Sequence, residues 1–455
     1  MTARGGRGAW GSRTGFILAA AGSAVGLGNI WGFPTQVGQG GGAVFVLIYL
    51  ACVLLICIPI QVAEIAMGRR TQQSPVGSFA ALAPGRAWWL VGGLGVLAGA
   101  GILSFYSVIA GWAVAYMWFA ATGALPSSAE QVGSFFGEFT ANGLVAIILA
   151  VVVVGTTAGV LLGGVRAGIE RVTKALMPAL LVLLVLLAIR AVTLPGAAEG
   201  IAYYLQPDFS EIANFGIVNA ALGQAFFSLS LGMGCMITYG SYLRRQDGIA
   251  TSAMWIAMLD TGIALLAGFI IFPTGFSIAG FDPAASGPGL IFAVLPGLFA
   301  TMPGGQLFGA AFFLLLSVAA LTSTISLLEV PVAHCVDAWG WTRRRAVGSV
   351  TLIVAAFAIP CALSGGAVAF LTNLPGLGTD FLTLMVTVWN EFALPIGGLL
   401  TAIFVGWVWR VDGALEELRA DGAWFPAPRV WAALLRWVCP AAIASIIIGT
   451  FVSMF

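Results

Sequence analysis

The chain has 455 residues, of which 60% are hydrophobic and only 8% are charged. A soluble domain usually carries about 25% charged residues, so this composition excludes a water-soluble globular protein and indicates a chain that faces lipid. The formal net charge of +1 points to no particular partner. We expect the lipid bilayer as surroundings, and neither a nucleic acid nor a protein partner.

Eleven apolar segments are long enough to cross a bilayer, which takes about 20 mostly apolar residues. The sequence therefore predicts an all-α polytopic membrane protein that forms one transmembrane domain over residues 1–455. The segments, numbered 1 to 11 throughout, are about 12–37, 41–69, 87–122, 142–162, 167–190, 214–243, 248–276, 304–339, 344–363, 378–411 and 430–454.

Basic residues are concentrated on one side of the predicted bilayer. If the N-terminus is cytoplasmic, every one of the 19 Lys and Arg residues except Arg190 lies on the cytoplasmic side. Cytoplasmic loops of membrane proteins are enriched in these residues. We therefore expect a multi-pass protein of the cell (inner) membrane, with a cytoplasmic N-terminus and an extracellular or periplasmic C-terminus.

Segments 1 and 6 carry small, flexible residues in mid-span, at Gly22–Asn29 and Ser228–Gly234. A break in a membrane helix frees backbone groups that lipid cannot satisfy, so it persists where a ligand or cavity satisfies them. For one such span, close helix packing would be the favoured explanation. Two breaks, five segments apart, predict an inverted 5+5 repeat with a midplane site. The repeats would cover about 12–190 and 214–411, with about 430–454 as an extra helix.

Polar residues within the spans indicate either ion binding or local structure. Asp260 is a mid-span acid, which costs about 3 kcal/mol on insertion scales and is a functional candidate by default. The alternative is a carboxylate paired for structural reasons. Thr322 and Ser323 share one helical face with Ala319, because the three stand at i, i+3 and i+4. Their oxygens suit a small hard cation, unless both hydroxyls bond back to their own helix.

Several stretches resemble the neurotransmitter:sodium symporter family, closely in Trp10–Phe33, Gly40–Gly42, Glu64–Arg69, Gly223–Tyr242 and Ala319–Pro331, and more loosely over nearly the whole chain. The resemblance implies a sodium-coupled secondary active symporter of neutral, hydrophobic L-amino acids that works by alternating access. It implies no enzymatic activity. Eleven spans rather than twelve match a form seen among bacterial members.

The resemblance also implies two sodium sites. The second site would be formed by Gly22, Val25, Ala319, Thr322 and Ser323. The first would be formed by Ala24, Asn29, Ser228 and Asp260, completed by the substrate carboxylate. Many relatives have Asn where this chain has Asp260, and Ala264 stands where chloride-dependent relatives carry serine. We therefore expect that chloride is not required.

The substrate pocket implied by the resemblance lies between the two breaks. Backbone N–H groups near Gly26 and the hydroxyl of Tyr106 would meet the substrate carboxylate. Monoamine carriers of the family place Asp at the position of Gly26, so this glycine favours an amino acid over an amine. The expected substrate-binding residues are Ser23, Ala24, Gly26, Leu27, Gly28, Ile102, Tyr106, Phe227, Ser228, Ser230, Met233, Ser323 and Leu327.

Gating residues follow from the same resemblance on the cytoplasmic side. Arg7 and Asp337 resemble the family's inner gate pair. Gly168 and Pro178 resemble its Gly-X9-Pro motif in segment 5, where Pro178 lacks an N–H group and can seed unwinding.

The outer gate departs from the family pattern. Gly32 stands where members usually carry Arg or Lys, and the nearest acid in segment 10 is Asp380. We therefore expect the outer gate to rest on Tyr106, Phe227 and Gln36 rather than on an ion pair.

Other function classes find less support in the sequence. It contains no Gly-X4-Gly-Lys-Ser/Thr loop of a primary pump, and no His-Glu-X2-His or Gly-X-Ser-X-Gly motif of an intramembrane enzyme. The alternatives are a sodium- or proton-coupled carrier of amines or other small solutes on the same fold, and an ion channel. Saturable flux that needs a sodium gradient would distinguish a symporter from a channel.

Overall fold

The computed structural model describes residues 8–453 except 127–128, 213, 278–280, 285–289, 302, 421, 423–424 and 426. Within these residues all regular structure is helical. Nine described helices are long and apolar enough to cross a membrane, and they are Ala43–Thr71, Trp89–Thr122, Gly143–Leu162, Val165–Val192, Ile249–Phe276, Gly305–Trp339, Arg343–Leu363, Phe381–Val408 and Pro428–Val452. The predicted all-helical membrane fold is thus confirmed, and the nine bounds lie within a few residues of those predicted.

Segments 1 and 6 are the two that do not form one straight helix. Segment 1 forms Arg13–Ala24 and Gly28–Gln39, bent by 51° at the break, and counts as a tenth span if the pair crosses together. Segment 6 forms two shorter helices, Phe215–Ser228 and Cys235–Gly240. By length and composition the described residues therefore hold nine or ten spans, and the count of eleven stays a prediction.

Shorter helices connect the spans. One of them, Val411–Leu418, is tied to the end of segment 2, because Arg69 Nε donates to Glu417 Oε1 at 2.7 Å and both side chains are buried. The other short helices include Pro75–Leu82, Ala129–Ala141, Ala197–Leu205, Phe209–Glu211, Leu290–Val294, Leu295–Thr301 and Ala369–Thr372.

Segment 8 runs through the protein interior and packs mainly along segment 3. Small residues permit this, since a side chain at Gly99 would begin 3.2 Å from the carbonyl oxygen of Leu327. The opposite situation holds at the periphery, where large apolar side chains such as Leu144 and Leu352 are 70% and 73% exposed. Such exposed apolar side chains are suited to contact with lipid. The polar groups of the broken segments lie instead in the interior of the bundle.

Candidate functional site

The break in segment 1 is built so that side chains take up the freed N–H groups. The helix ends at Ala24, and the N–H of Gly26 donates to Asn29 Oδ1 at 3.0 Å. The N–H of Leu27 donates to the hydroxyl of Tyr106 in segment 3 at 2.9 Å. No lipid or water is needed to satisfy these donors, which accounts for the stability of an open turn at this depth.

The freed carbonyl groups of the same break face segments 6 and 8. The carbonyl oxygen of Ser23 accepts from Ser230 Oγ at 2.9 Å. Ser323 Oγ lies 3.2 Å from that oxygen and 3.1 Å from the carbonyl oxygen of Val25. Backbone oxygens and hydroxyls from both broken regions therefore converge on segment 8.

This convergence includes all five residues expected for the second sodium site. Thr322 Oγ1 lies 3.4 Å from the carbonyl oxygen of Val25 and 2.9 Å from that of Ala319, so it bonds both across to segment 1 and back to its own helix. A side chain at Gly22 would begin 3.3 Å from Thr322 Cβ. The geometry offers buried oxygen ligands of the kind that hard cations prefer, and the assigned role stays a prediction.

Three of the four residues expected for the first sodium site form a second buried polar cluster. Asn29 Nδ2 donates to Asp260 Oδ1 at 2.7 Å and lies 2.9 Å from Ser228 Oγ. Ser228 Oγ in turn donates to Asp260 Oδ2 at 2.8 Å. The amide nitrogen of Asn29 faces Asp260, whereas its amide oxygen accepts from the Gly26 N–H. A cation beside Asp260 would bind the oxygen and not the nitrogen, so the side-chain amide of Asn29 would have to rotate first. Ala24, the fourth residue, lines the adjacent cavity.

That cavity lies between the two breaks, and its wall consists of residues from segments 1, 3, 6 and 8. About 20 Å³ of it is open to water, enough for about one water molecule. Its eleven wall residues are all among the thirteen expected to bind substrate, and they are Ser23, Ala24, Gly26, Gly28, Ile102, Tyr106, Phe227, Ser230, Met233, Ser323 and Leu327. The remaining two, Leu27 and Ser228, lie behind the wall in the contacts described above.

Gly26 is the tightest point of the cavity wall. A Cβ atom there would lie 2.4 Å from Ser323 Oγ and 2.5 Å from the Tyr106 hydroxyl oxygen. Both distances are far below van der Waals contact, so even alanine would displace a side chain that forms the wall. In this arrangement the position favours glycine, and an aspartate would fit only if Ser323 and Tyr106 moved.

Phe227 separates this cavity from a larger one of about 520 Å³, because its side chain lines both. The larger cavity carries amide and carboxylate groups, including Gln36, Gln224 and Glu391. Two of the three residues expected at the outer gate, Gln36 and Phe227, line it, and Tyr106 lies in the inner cavity. Their gating role stays a prediction.

Asp380 does not line the larger cavity and serves instead as a helix cap. Its carboxylate accepts from the Thr383 N–H at 3.0 Å and from the Thr383 hydroxyl at 2.6 Å, at the start of the helix in segment 10. Gln224 lies close to the basic position of the family's outer gate, because a Cβ atom at Gly32 would begin 3.1 Å from Gln224 Oε1. The side chain beside Gly32 is therefore an amide, and the make-up of the outer gate stays a prediction.

The residues expected to gate the cytoplasmic path are placed in part. Arg7 lies outside the described residues. Asp337 accepts from the N–H of Ser74 at 2.6 Å. Gly168 belongs to a π-helical turn, where a Cβ atom would clash with the carbonyl oxygen of Val160 at 2.1 Å, and Pro178 lies inside the helix of segment 5.

Comparison with known proteins decides the family. The model of the sodium:neurotransmitter symporter family matches residues 7–133 and 129–455. The uncharacterized sodium-dependent transporter YhdH of Bacillus subtilis is 38% identical, over 95% of both chains. An uncharacterized sodium-dependent transporter of Haemophilus influenzae is 34% identical over 97% of both. The chain belongs to the sodium:neurotransmitter symporter family.

A solved structure of MhsT in complex with L-phenylalanine is similar to the whole chain. It is 44% identical, with a TM-score of 0.88, and covers 99% of this chain and 100% of that one. The predicted resemblance to sodium:neurotransmitter symporters is therefore confirmed. The protein is a polytopic membrane transporter of a sodium-dependent family, which is a family of transporters and not of enzymes.

Two contacts at the breaks involve residues for which the sequence pattern indicates no partner. Gln224 Nε2 donates to the freed carbonyl of Gly28 at 2.7 Å. Glu64 Oε1 accepts from the N–H of Gly232 in the break of segment 6 at 2.9 Å. The available signal was a polar residue in mid-span for each, which marks a residue as functional without naming its partner.

Proposed function

We propose that this protein is a sodium-coupled symporter of neutral, hydrophobic L-amino acids that works by alternating access. The observation that carries the proposal is the cavity wall. Its side-chain part is apolar, with Ile102, Phe227, Met233 and Leu327, and none of its eleven residues is ionisable in the physiological range. Burying an unpaired charge there would cost several kcal/mol, which disfavours acidic and basic substrates.

The polar part of the wall fits the backbone of an amino acid. The Tyr106 hydroxyl accepts from the Leu27 N–H and would donate its own hydrogen to a substrate carboxylate. The Ser23 carbonyl accepts from Ser230, and an ammonium group would compete with that hydroxyl for the carbonyl oxygens of the break. MhsT, 44% identical, was solved in complex with L-phenylalanine, which supports a substrate of this class. The methionine thioether of Met233 adapts to different shapes, so we infer broad acceptance of aromatic and branched side chains.

Two sodium ions would be bound beside the substrate. One would use Gly22, Val25, Ala319, Thr322 and Ser323. The other would use Ala24, Asn29, Ser228 and Asp260, together with the substrate carboxylate. The buried carboxylate of Asp260 places a fixed negative charge near this ion, and we infer that it removes the need for chloride.

Alternating access would proceed around this central cavity. The 20 Å³ now open cannot hold an amino acid, so the wall must move, and Phe227 is the side chain between the cavity and the larger cavity beyond it. On the other side, Arg7 with Asp337 and the Gly168–Pro178 stretch would control release. The proposed frame is one domain over 1–455, an inverted repeat of about 12–190 and 214–411, and an extra helix at about 430–454.

An amine carrier on the same fold is the second candidate, and Gly26 speaks against it. An acid that would pair with an amine would fit there only if Ser323 and Tyr106 moved, since a Cβ atom already meets both. A channel is a weaker candidate, because a cavity of about one water volume does not form a continuous pore.

Uptake of radiolabelled leucine into proteoliposomes, with and without an inward sodium gradient, tests the proposal. We expect saturable uptake that requires the gradient and is inhibited by Phe, Trp, Tyr, Met, Ile and Val. Inhibition by lysine, glutamate or an arylalkylamine with none by this set would refute the amino-acid assignment. Gradient-independent, non-saturable flux would indicate a channel.

A matched pair of variants links that activity to the cavity. Gly26→Ala should reduce uptake at least tenfold, because the added methyl group displaces the wall. Gly155→Ala is the control, since nothing lies within 4 Å of a Cβ atom there. Equal uptake by the two variants would show that the cavity is not the substrate site.

A further inference from the structure

A third cavity, of about 500 Å³, lies where the start of segment 1 meets the start of segment 5. Its wall is strongly basic, with Arg166, Arg171 and Lys174 and one acid, Glu170. Both arginine side chains and Lys174 are exposed, and the cavity lies at the end of a helix that is long and apolar enough to cross a membrane, where lipid headgroups are expected.

The local helix geometry places these cations on one face. Residues Val165–Glu170 form a π-helical turn. Arg166 and Arg171 are five residues apart, which is about one turn in a π-helix, whereas an α-helix would place them about 140° apart. Lys174 follows three residues after Arg171, on the adjoining α-helical turn.

The single acid of the cavity is neutralised from within the protein. Glu170 Oε2 accepts from the N–H of Gly11 at 2.6 Å, and its Oε1 accepts from Ser12 Oγ at 3.0 Å and from Lys174 Nζ at 2.6 Å. The Glu170 side chain is only 4% exposed. It therefore satisfies the helix start and Lys174, and does not compete for the two arginines.

Arg166 and Arg171 have no acceptor among the described residues. The Nε atom of Arg166 packs over Gly11, where a Cβ atom would lie 3.0 Å away, so its guanidinium is held at the cavity rather than in bulk water. Two guanidinium groups without a protein partner, at one concave site, match the oxygen pattern of a phosphate group.

We propose that this cavity binds the phosphate of an anionic phospholipid headgroup through Arg166 and Arg171, beside the Lys174–Glu170 ion pair. Basic pockets between membrane helices are a known setting for such headgroups. Because the wall includes Gly11 and Ser12, a bound lipid would hold the start of segment 1 against segment 5. The lipid composition of the membrane would then influence the position of the helix that precedes the break in segment 1.

Native mass spectrometry of the full-length chain, titrated with phosphatidylglycerol, phosphatidylcholine or inorganic phosphate, tests this proposal. We expect the first phosphatidylglycerol to bind at least tenfold more tightly than phosphatidylcholine. Arg166→Gln with Arg171→Gln should remove that preference. Arg86→Gln with Arg344→Gln, two exposed arginines outside the cavity, is the charge-matched control and should change it less than twofold.

Equal loss in both double variants would overturn the proposal, because it would reduce the effect to general surface charge. Inorganic phosphate that binds as tightly as the lipid would overturn the lipid assignment and leave a soluble phosphate as the ligand. If the double variant is not monodisperse, each single Arg→Gln change should still weaken phosphatidylglycerol binding at least threefold. Arg166→Lys with Arg171→Lys keeps both charges but loses the guanidinium geometry, so its phosphatidylglycerol binding should lie between that of the unaltered protein and that of the glutamine variant. Binding as weak as that of the glutamine variant, in a folded protein, would contradict a contribution from charge.

Discussion

At the scale of single residues, two adjacent hydroxyls tie segment 8 to the opened turn of segment 1. Thr322 and Ser323 both approach the carbonyl oxygen of Val25, at 3.4 Å and 3.1 Å. Thr322→Ala with Ser323→Ala should abolish sodium-dependent substrate binding, because it removes two of the proposed ligands. A scintillation proximity assay with labelled leucine over a range of sodium concentrations measures this.

The same helix supplies a matched control. Ser317 and Thr324 each donate to a carbonyl of their own helix, and Thr324 also contacts the Thr157 hydroxyl of segment 4, but neither hydroxyl bonds to the break in segment 1. Ser317→Ala with Thr324→Ala should leave the sodium dependence within about threefold. The assignment of the second sodium site is wrong if both double variants keep their sodium affinity.

Asp260 gives the second prediction at this scale. Its two carboxylate oxygens are held by Asn29 and Ser228, so an amide can replace it without opening a cavity. Asp260→Asn removes a buried negative charge near the proposed sodium, and uptake should then weaken or become dependent on chloride. Uptake measured in chloride against gluconate tests this. Strong chloride dependence of the unaltered protein would contradict the proposed role.

Single residues also show what a sequence can reveal about the site. Nine of the eleven wall residues of the central cavity belong to the stretches Trp10–Phe33, Gly223–Tyr242 and Ala319–Pro331 that resemble the family. Ile102 and Tyr106 lie outside these stretches and are expected only from the looser resemblance in segment 3. The partner of Gln224 could not be expected, since its contact with Gly28 joins segments that are far apart along the chain. Asp380 shows that a residue type alone does not define a role. An acid near the start of a helix can serve as a gate residue or as an N-cap, and Asp380 is an N-cap.

At the scale of elements, the break in segment 6 depends on a residue of segment 2. Ser230, Gly232 and Gly234 all have positive φ angles, of 54°, 80° and 76°. The N–H group of Gly232 donates to the buried carboxylate of Glu64, which fixes this strained stretch. The break is thus supported from outside its own helix.

Replacing Glu64 tests that support. Glu64→Leu leaves the Gly232 N–H without an acceptor, which costs about 1–3 kcal/mol, and should lower both the melting temperature in detergent and substrate affinity. Glu64→Gln keeps an acceptor oxygen and is the matched control. Equal melting temperatures for the leucine and glutamine variants would refute the role of this hydrogen bond.

Elements were predictable to the extent that hydrophobicity defines them. The bounds of nine spans follow from apolar length, and both breaks follow from their small residues. The π-helical turns, such as Val165–Glu170, could not be predicted in this way. A π-helical turn contains one more residue than an α-helical turn, and this does not change the hydrophobicity of the segment. These turns depend on tertiary contacts, here on the close approach of Gly168 to Val160.

At the scale of the whole molecule, the distribution of basic residues makes a prediction about orientation. Alkaline phosphatase fused after the C-terminal segment should be active in bacterial cells, and the same reporter placed after Arg245, between segments 6 and 7, should be inactive. The reason is that the basic loops remain in the cytoplasm. The reverse pattern of activity would show that the orientation is inverted, and equal activity at both positions would contradict an odd number of spans between them.

The hydrogen bonds at the two candidate cation sites have a consequence for affinity. The oxygens of Ser23, Val25 and Asp260 already accept hydrogen bonds from Ser230, Ser323 and Asn29, respectively. An arriving ion must displace these donors, and each lost hydrogen bond costs about 1 kcal/mol. The net binding free energy of the ion is therefore its coordination by the oxygens minus the cost of the hydrogen bonds that it replaces. A carrier has to release its cargo in every cycle, and such internal competition keeps an ion from being held too tightly to leave.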